Sequence, residues 1–166
     1  MTAETVVSIY KMLEENDIKI VIDGGWGVDA LLGRESRPHS DLDIAVEHKD
    51  VPKLRELLHT RGYKNLVRED TSDYNFVLGD EKGHEIDVHS YAFDDKGHNI
   101  YGIAYPINSL KGKGIINNQH VRCIAPEYVI IFHDNYEPGE KEFKDIKALC
   151  EKFGLQPPPS YKKLLK

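Results

Sequence analysis

The sequence predicts a single domain of the α/β (α+β) class. Helix and strand patterns alternate as α-β-α-β-α along the first part of the chain, and a β-rich segment and then helical segments follow. The length of 166 residues corresponds to about one domain. Hydrophobic residues make up 40% of the chain and charged residues 30%, which is the usual composition of a folded globular protein.

The N-terminal part of the chain predicts a helix, a strand and a second helix. Apolar residues at helical spacing predict an amphipathic helix over 3–16. The β-branched run at 18–23 predicts a buried strand, which ends at Gly24 and Gly25. A short helix follows and ends at Gly33, because glycine is the preferred residue just after the last helical turn.

The next strand and helix are predicted from alternation and capping. Acidic and apolar residues alternate over 41–47, which predicts a strand with one solvated and one buried face. A helix then begins beside Asp50, a residue type that caps helices, with Pro52 in its first turn, and ends at Gly62. A surface tail rich in proline and lysine is expected over 156–166. The other predicted elements are strands at 63–67, 74–79, 84–93 and 120–124 and helices at 126–135 and 140–153, while 98–118 shows little periodicity.

Charge and cysteine content exclude several classes of protein. The 22 basic and 28 acidic residues leave a net charge of −6, unlike the basic surfaces that bind nucleic acid. No apolar run approaches the ~20 residues of a membrane span, and the N-terminus lacks the pattern of a secretory signal. Two cysteines cannot form a disulfide framework. We therefore expect a cytoplasmic protein with neither nucleic-acid nor membrane partners, whose acidic balance favours divalent metals and small cationic molecules.

An Asp-x-Asp pair is the first candidate for a metal site. Asp41 and Asp43 are two residues apart on a predicted strand, so their side chains project from the same face. Neighbouring carboxylates repel each other unless a cation lies between them. Oxygen ligands without cysteine suit Mg²⁺, or Mn²⁺ in its place, rather than zinc. The alternative is a solvated strand with two surface acids, since this short pattern is common by chance.

Asp87 and a glycine pair extend this candidate site. Asp87 lies on another alternating strand, and it completes a three-carboxylate site if that strand pairs beside 41–47; otherwise it is an ordinary surface acid. Gly24 and Gly25 separate a buried strand from the start of a helix, where uncovered N–H groups favour phosphate. A structural tight turn is the alternative for the glycine pair, which matches neither a dinucleotide-binding fingerprint nor a Walker loop.

This order of motifs resembles the nucleotidyltransferase superfamily of the polymerase-beta type. The segment IDGGWGVDALLGRESRPHSDLDIAV resembles more closely the small antibiotic nucleotidyltransferases, namely the lincosamide enzymes and the aminoglycoside 2″-adenylyltransferases. Further similar segments are EIDVHS, VRCIAPE, FHDNYEP and FKDIKALCEKFG, so the resemblance extends over residues 5–155.

The resemblance implies a nucleotidyltransferase fold, with a mixed twisted sheet flanked by helices in a domain spanning 1–155. It implies that an NTP, usually ATP, binds as its Mg²⁺ complex and that an acceptor hydroxyl attacks the α-phosphorus, so that AMP is transferred and pyrophosphate leaves. Asp41, Asp43 and Asp87 are then the metal ligands and catalytic carboxylates. Asp87 either binds a metal ion or takes the proton of the hydroxyl.

Residues around the three acids are further candidates for binding nucleotide or acceptor. Arg37 and His39 lie between the glycine pair and the acids, where they are placed to bind phosphates, and Arg34 lies nearby; the alternative for each is a solvated loop. Secondary candidates are Trp26 (base stacking or packing), Asp29 (site or structural role), His89 beside Asp87, and Lys144 and Asp145 (ligand contact or solvated helix face). Four tyrosines are candidates for an acceptor pocket, although loop aromatics also pack: Tyr74, Tyr91, Tyr101 and Tyr105.

The preferred function is adenylylation of a hydroxyl on a small antibiotic. A lincosamide is the first candidate because of the short length and the IDVH segment, and an aminoglycoside is the second. Both acceptors are cationic, which suits an acidic pocket. A transferase acting on a protein partner and a nucleotide-binding module without turnover are the alternatives. The chain is shorter than family members that have a separate helical acceptor domain. Either the acceptor cleft is therefore shallow, or a second subunit completes it, and the second alternative gives the hypothesis of a homodimer.

Overall fold

The computed structural model describes residues 1–134 and 138–162. The middle of the FHDNYEP segment (135–137) and the end of the tail (163–166) lie outside the described residues. No helix within the described ranges combines the length and the apolar character needed to cross a membrane. The helices and strands are, in chain order, α1 (Ala3–Glu15), β1 (Ile20–Ile22), α2 (Gly24–Leu32), β2 (Asp41–Glu47), α3 (Val51–Thr60), β3 (Lys64–Leu66), β4 (Asn75–Gly79), β5 (Glu85–Phe93), β6 (Asn99–Gly102), β7 (Gly112–Ile116), β8 (Gln119–Cys123), α4 (Pro126–His133), α5 (Glu140–Phe153) and α6 (Pro159–Lys162).

The strands of the described residues form one mixed sheet. Seven of them follow the order β3-β4-β5-β2-β1-β8-β7, and β6 pairs with the far end of β5. β2 runs parallel to β5 and β1 runs parallel to β8, whereas the other pairs are antiparallel. The predicted α+β class with a mixed sheet is therefore confirmed.

Alternation along β2 and β5 separates a buried face from a polar face, as the sequence predicts. Leu42 and Ile44 are fully buried, and so are their register partners Ile86 and Val88. Burial of each such side chain contributes roughly 1.5–3 kcal/mol. This apolar face fixes the register of the two strands that carry the acids, because a slip of one residue would bury the carboxylates and expose the aliphatic side chains.

Several element boundaries differ from the prediction. β1 is confined to Ile20–Ile22. The helix after it begins at Gly24, so the glycine pair forms the first helical turn rather than a turn before the helix, because the side chain of Asp23 caps the helix. Asp50 occupies the N-cap of α3, but its side chain forms no capping hydrogen bond. A 3₁₀ turn over His48–Asp50 leads directly into that helix instead.

Two regions contain more structure than the sequence predicts. Residues 98–118 form β6, a 3₁₀ turn and β7, where glycines obscure the strand pattern and pairing with β5 and β8 supplies the hydrogen bonds. The expectation of a surface tail is wrong for Tyr161, which is 1% exposed and stacks on Phe143 of α5 with ring centroids 6.5 Å apart. Burial of a large aromatic ring explains why this part of the tail packs against the domain.

Helix α2 is fixed on the sheet by a close backbone contact with β7. A Cβ at Gly114 would collide with the backbone carbonyl of Ala30. At its carboxyl end the helix is terminated by Gly33 in the left-handed conformation, with φ 73°. The contact sets the orientation of α2 and therefore the position of Gly24 and Gly25 at its amino end.

We expect Gly114→Ala to lower the stability of the fold by about 1–3 kcal/mol, because α2 must move away from β7 to accommodate a methyl group. Thermal unfolding should show this as a fall in Tm of about 2–4 °C per kcal/mol. Lys113→Ala, at the adjacent exposed position, is the matched control and should leave Tm almost unchanged. A Gly114→Ala variant with the Tm of wild type would contradict close packing of α2 on β7.

Candidate active site

The three predicted acids lie on one face of the sheet, where β2 and β5 run side by side. Asp43 is the register partner of Asp87, and Asp41 is the partner of Glu85. Neighbouring strands are about 4.8 Å apart, so the pairing brings the three acids into one cluster. All three side chains belong to residues that are half-buried. The strand pairing on which the three-carboxylate site depends is therefore present.

Burial and mutual repulsion oppose ionisation of the cluster. Burial raises the pKa of Asp43 to about 7, and the charges of Asp41, Asp23 and Asp87 add to this rise. Burial also raises the pKa of Asp87; the nearby His89 opposes this rise, and the charge of Asp41 reinforces it. The ionised cluster therefore carries an electrostatic penalty that a bound cation would relieve.

The amino end of α2 lies directly against these acids. The side chain of Asp23 accepts a hydrogen bond from the backbone N–H of Gly24 at 2.8 Å. Gly24 has a φ of 58°, and a Cβ there would collide with the Asp43 carboxylate. Glycine at this position thus satisfies both the backbone conformation and the close approach. The positive end of the helix dipole consequently lies beside the acid cluster.

Arg37 and His39 lie over the same helix start. A Cβ at Gly25 would collide with the His39 imidazole and would lie 3.2 Å from the Arg37 guanidinium. Nη1 of Arg37 lies 3.0 Å from Nδ1 of His39, and Nη2 of Arg37 donates to the Asp145 carboxylate at 2.9 Å. His39 is buried, whereas the Arg37 side chain is 29% exposed. The structure thus brings Arg37, His39 and Asp145 to the glycine pair.

Asp29 and Trp26 support this loop from the body of α2. One carboxylate oxygen of Asp29 accepts hydrogen bonds from the backbone N–H and the hydroxyl of Ser36, and the other lies 2.5 Å from Nε2 of His39. Trp26 is buried, and its ring centroid lies 4.7 Å from that of His39. The contacts of both residues are therefore structural, because Asp29 holds Ser36 and His39 from inside the helix and Trp26 packs on the imidazole.

The remaining candidates divide between the site and the surface. His89 lies on the acid face, with Nε2 3.4 Å from the Asp87 carboxylate. Arg34 follows the carboxyl end of α2, about 13 Å along the helix from the glycine pair, so the structure does not bring it to the acids. Lys144 is exposed and pairs with Glu140 on α5 at 2.6 Å, as expected of a solvated helix face.

Asp23 is a site residue that sequence analysis missed. It adds a fourth carboxylate, whose charge raises the pKa of Asp43. The hydroxyl of Tyr105 donates to it at 3.0 Å, and burial together with the charge of Asp23 raises the pKa of Tyr105 far above its usual value. The available signal was an acid at the last position before the glycine pair, where it caps the helix. No local pattern links it to Tyr105, which is 82 positions away.

The four tyrosines expected to line one acceptor pocket lie on two faces of the sheet. Tyr91 alternates onto the acid face, and its ring centroid lies 5.8 Å from that of Tyr105. Tyr74 and Tyr101 instead pack edge to face against each other at 5.7 Å. The register partner of Tyr101 is Ala92, which alternates away from the acid face. Tyr74 and Tyr101 therefore pack together away from the acids, which was the alternative given for these aromatic residues.

The donor set has the chemistry of a site for a hard cation. Across residues 1–134 and 138–162, no group of three or more His, Cys, Asp or Glu side chains is arranged so that it could hold a metal ion as it stands. The clustered carboxylates nevertheless offer oxygen donors alone, at positions where positive charge would relieve their repulsion. Burial raises the pKa of Cys123 to about 12, which disfavours a thiolate nucleophile there.

Comparison with known families agrees with this geometry. The sequence model of the aminoglycoside-2''-adenylyltransferase family matches residues 5–149. The chain belongs to this family. It is therefore a nucleotidyltransferase of the adenylyltransferase type, and the family resemblance noted in its sequence is confirmed.

Two curated relatives cover almost the whole chain. A lincosamide resistance protein from Staphylococcus haemolyticus is 29% identical over 154 residues, covering 90% of this chain and 94% of the relative. A 2''-aminoglycoside nucleotidyltransferase from Escherichia coli is 26% identical over 168 residues, covering 94% of this chain and 92% of the relative. Among solved structures, the lincosamide antibiotic adenylyltransferase LnuA with bound lincomycin matches with a TM-score of 0.77 at 27% identity, covering 90% of this chain and 96% of that chain. The nucleotidyltransferase fold is therefore confirmed.

Asp43→Asn is expected to stabilise the metal-free protein, and more so at alkaline pH. The pKa of Asp43 is about 7 in the folded protein and about 3.9 in an unfolded chain, so folding favours the protonated carboxyl. Stability is therefore lost as the pH rises from about 4 through about 7, by up to about 4 kcal/mol. Asparagine carries no charge and avoids this loss.

Thermal unfolding in EDTA at about pH 5 and about pH 8 measures the effect, with a gain in Tm of about 2–4 °C per kcal/mol. The gain of Asp43→Asn over wild type should be larger at the higher pH. Glu81→Gln, in an exposed turn, is the control and should change Tm by the same amount at both pH values. An equal effect of Asp43→Asn at both would contradict the raised pKa of this residue.

Proposed function

We propose that this chain transfers AMP from the Mg²⁺ complex of ATP to a hydroxyl of a small antibiotic, with a lincosamide as the first candidate. The observation that carries the proposal is the pairing of β2 with β5, which sets Asp43 opposite Asp87 beside the amino end of α2. Carboxylates suit a divalent cation, and the N–H groups of a helix start suit phosphate. The two classes of acceptor, lincosamides and aminoglycosides, are taken from the names of the relatives.

Asp41 and Asp43 are the proposed ligands of the divalent cation, with Asp87 as a third. Mg²⁺, or Mn²⁺ in its place, would neutralise charge on the triphosphate and polarise the reacting phosphoryl group. Burial, together with the charges of Asp41, Asp23 and Asp87, raises the pKa of Asp43, and a cation beside these carboxylates would relieve that cost, which supports this assignment. Asp23 adds to the same negative field and is held by its contacts with α2 and Tyr105.

The triphosphate is proposed to bind over Gly24 and Gly25. The positive end of the α2 dipole favours phosphate oxygens there, and the glycines let Asp43 and His39 lie close to the backbone, although the N–H of Gly24 already donates to Asp23. Arg37 adds a partly exposed guanidinium beside Gly25. Arginine suits this role because its planar fork of donors matches phosphate oxygens.

Asp87 is proposed to take the proton of the acceptor hydroxyl or to share in holding the cation. In the transfer, the acceptor oxygen forms a bond to the α-phosphorus, the bond from that phosphorus to the bridging oxygen breaks, and pyrophosphate leaves. The raised pKa of Asp87 makes it a better proton acceptor than an ordinary carboxylate. Nε2 of His89 lies 3.4 Å from the Asp87 carboxylate, so this histidine is placed to stabilise the charge on Asp87.

The surroundings of the acids favour a cationic acceptor that also has an apolar part. The net charge of −6 and the carboxylate cluster suit a cation. Aromatic rings extend from the acid face onto α4, from Tyr91 to Tyr105 at 5.8 Å and on to Phe132 at 6.1 Å. Tyr91 and Tyr105 are buried, so the half-buried Phe132 is the ring of this series with surface for the apolar part of an acceptor.

We further propose that the enzyme acts in the cytoplasm, without nucleic acid, and as a homodimer. The acidic balance supports the absence of nucleic acid, and free cysteines at 123 and 150 suit a reducing compartment. Ile131 of α4 is 55% exposed and offers apolar surface that a second copy would cover.

Size-exclusion chromatography with light scattering tests the homodimer. We expect the mass of two chains at the protein concentration of the transfer assay, because a second copy would cover the exposed Ile131 of α4. The mass of a single chain under the same conditions would contradict the dimer without affecting the proposed chemistry.

A transfer assay tests the proposed function. The protein is incubated with Mg²⁺, ATP and lincomycin, tobramycin or a cell lysate, and products are identified by mass spectrometry. We expect lincomycin to gain the mass of one AMP group. Modification of tobramycin alone would identify the acceptor as an aminoglycoside rather than a lincosamide. Labelled protein without a small-molecule product would favour a protein acceptor, and nucleotide binding without any product would indicate a module without turnover.

Asp41→Asn and Asp43→Asn should each lower the transfer rate by about 10³-fold or more, because loss of a cation ligand removes several kcal/mol of charge stabilisation. Thermal unfolding should show that both variants remain folded. Glu47→Gln changes an exposed acid at the end of the same strand and is the matched control that keeps its activity. Substantial activity in either Asp variant would exclude the proposed metal site.

A further inference from the structure

Hydrogen-bonding capacity determines the tautomer of the buried His39. Nη1 of Arg37 lies 3.0 Å from Nδ1 of the imidazole. A guanidinium nitrogen only donates, so Nδ1 is the acceptor and carries no proton. Nε2 therefore carries the proton and donates it to Asp29 at 2.5 Å. The neutral ring thus bridges a buried carboxylate on one side and a cation on the other.

The imidazole is itself held rigidly. Its Asp29 partner is fixed by two hydrogen bonds from Ser36, one from the backbone and one from the hydroxyl. Trp26 packs against the ring with centroids 4.7 Å apart, and His39 is only 6% exposed. Nδ1 is consequently an acceptor at a fixed place in the loop between α2 and β2.

Two acceptors hold the guanidinium of Arg37. Nδ1 of His39 accepts from Nη1, and the nearly buried carboxylate of Asp145 on α5 accepts from Nη2 at 2.9 Å. The guanidinium lies 3.2 Å from the point where Gly25 would carry a Cβ. An otherwise flexible cation is therefore fixed at the amino end of α2, and a cation fixed in advance loses less rotamer freedom when it binds an anion.

We propose that His39 is a positioning residue, whose unprotonated Nδ1 fixes Arg37 beside Gly25 for contact with the phosphates of the nucleotide. The inference rests on the proposed nucleotide site at the start of α2. Asp145 balances the charge of Arg37 in the absence of nucleotide. Both ring nitrogens of His39 are engaged, Nδ1 by Arg37 and Nε2 by Asp29, so its effect on nucleotide binding passes through Arg37.

Two variants of similar shape separate the two contacts of His39. His39→Gln keeps an amide N–H near the Nε2 position for Asp29 but has no acceptor near the Nδ1 position. His39→Asn keeps an amide oxygen near the Nδ1 position for Arg37 but gives Asp29 no donor. Both are compared with wild type by calorimetric titration of α,β-methylene-ATP in Mg²⁺ and by thermal unfolding.

We expect His39→Gln to weaken binding of the analogue about tenfold while its Tm stays near that of wild type, since a hydrogen bond to a charged group is lost only at Arg37. His39→Asn should lower Tm but bind the analogue within about twofold of wild type. Loss of affinity in His39→Asn with none in His39→Gln would overturn the proposal, because affinity would then follow the stability of the loop.

A double variant tests whether the effect passes through Arg37. His39→Gln in an Arg37→Ala background should weaken binding no further than Arg37→Ala alone. A loss of affinity in the double variant equal to the product of the losses in the two single variants would overturn the proposal. Lys147→Ala, at an exposed position of the helix that carries Asp145, is the control and should bind the analogue as wild type does.

The tautomer is measured without nucleotide. ¹⁵N NMR of the His39 imidazole should show an unprotonated Nδ1 and a protonated Nε2, and a protonated Nδ1 would overturn the positioning role even where the analogue binds. A wild-type protein that shows the expected tautomer but does not bind the analogue would contradict the proposed nucleotide site and, with it, the role given to His39. These results separate failure of the positioning role from failure of the proposed function.

Discussion

The parallel pairing of β2 with β5 is the interaction on which the rest of the site depends. Its apolar face, with Leu42 and Ile44 beside Ile86 and Val88, is fully buried, so the register is set by the hydrophobic core. The carboxylates occupy the alternate positions of the same strands. Apolar burial on one side of the sheet therefore determines where the charges meet on the other.

The acids are held together against their own repulsion. Burial raises the pKa of Asp43, and the charges of Asp41, Asp23 and Asp87 raise it further. The start of α2 and the hydroxyl of Tyr105 offset part of this charge through Asp23. A cluster retained at such an electrostatic cost is typical of a functional site, where a ligand supplies the missing charge.

Local patterns were enough to predict the parts of the site but not every contact between them. Alternation placed Asp41, Asp43 and Asp87 correctly, because side-chain direction in a strand follows from a period of two. The pairing of Arg37 with Asp145 joins positions 108 apart, and no local pattern records such a contact. For the same reason, the sequence could not show that Tyr74 and Tyr91 lie on different faces of the sheet, since these positions depend on how the strands pair.

The separation of β2 and β5 along the chain also has a consequence for folding. Asp43 and Asp87 are 44 positions apart (87 − 43), and α3, β3 and β4 lie between them. Contacts of such long range close large loops and slow folding compared with local ones. The acid cluster therefore arises with the global fold rather than in a local fragment. A ligand that bound only the folded chain would raise its stability by RT ln(1 + L/Kd), where L is the concentration of free ligand, and would lower the fraction of chains that is open to proteolysis.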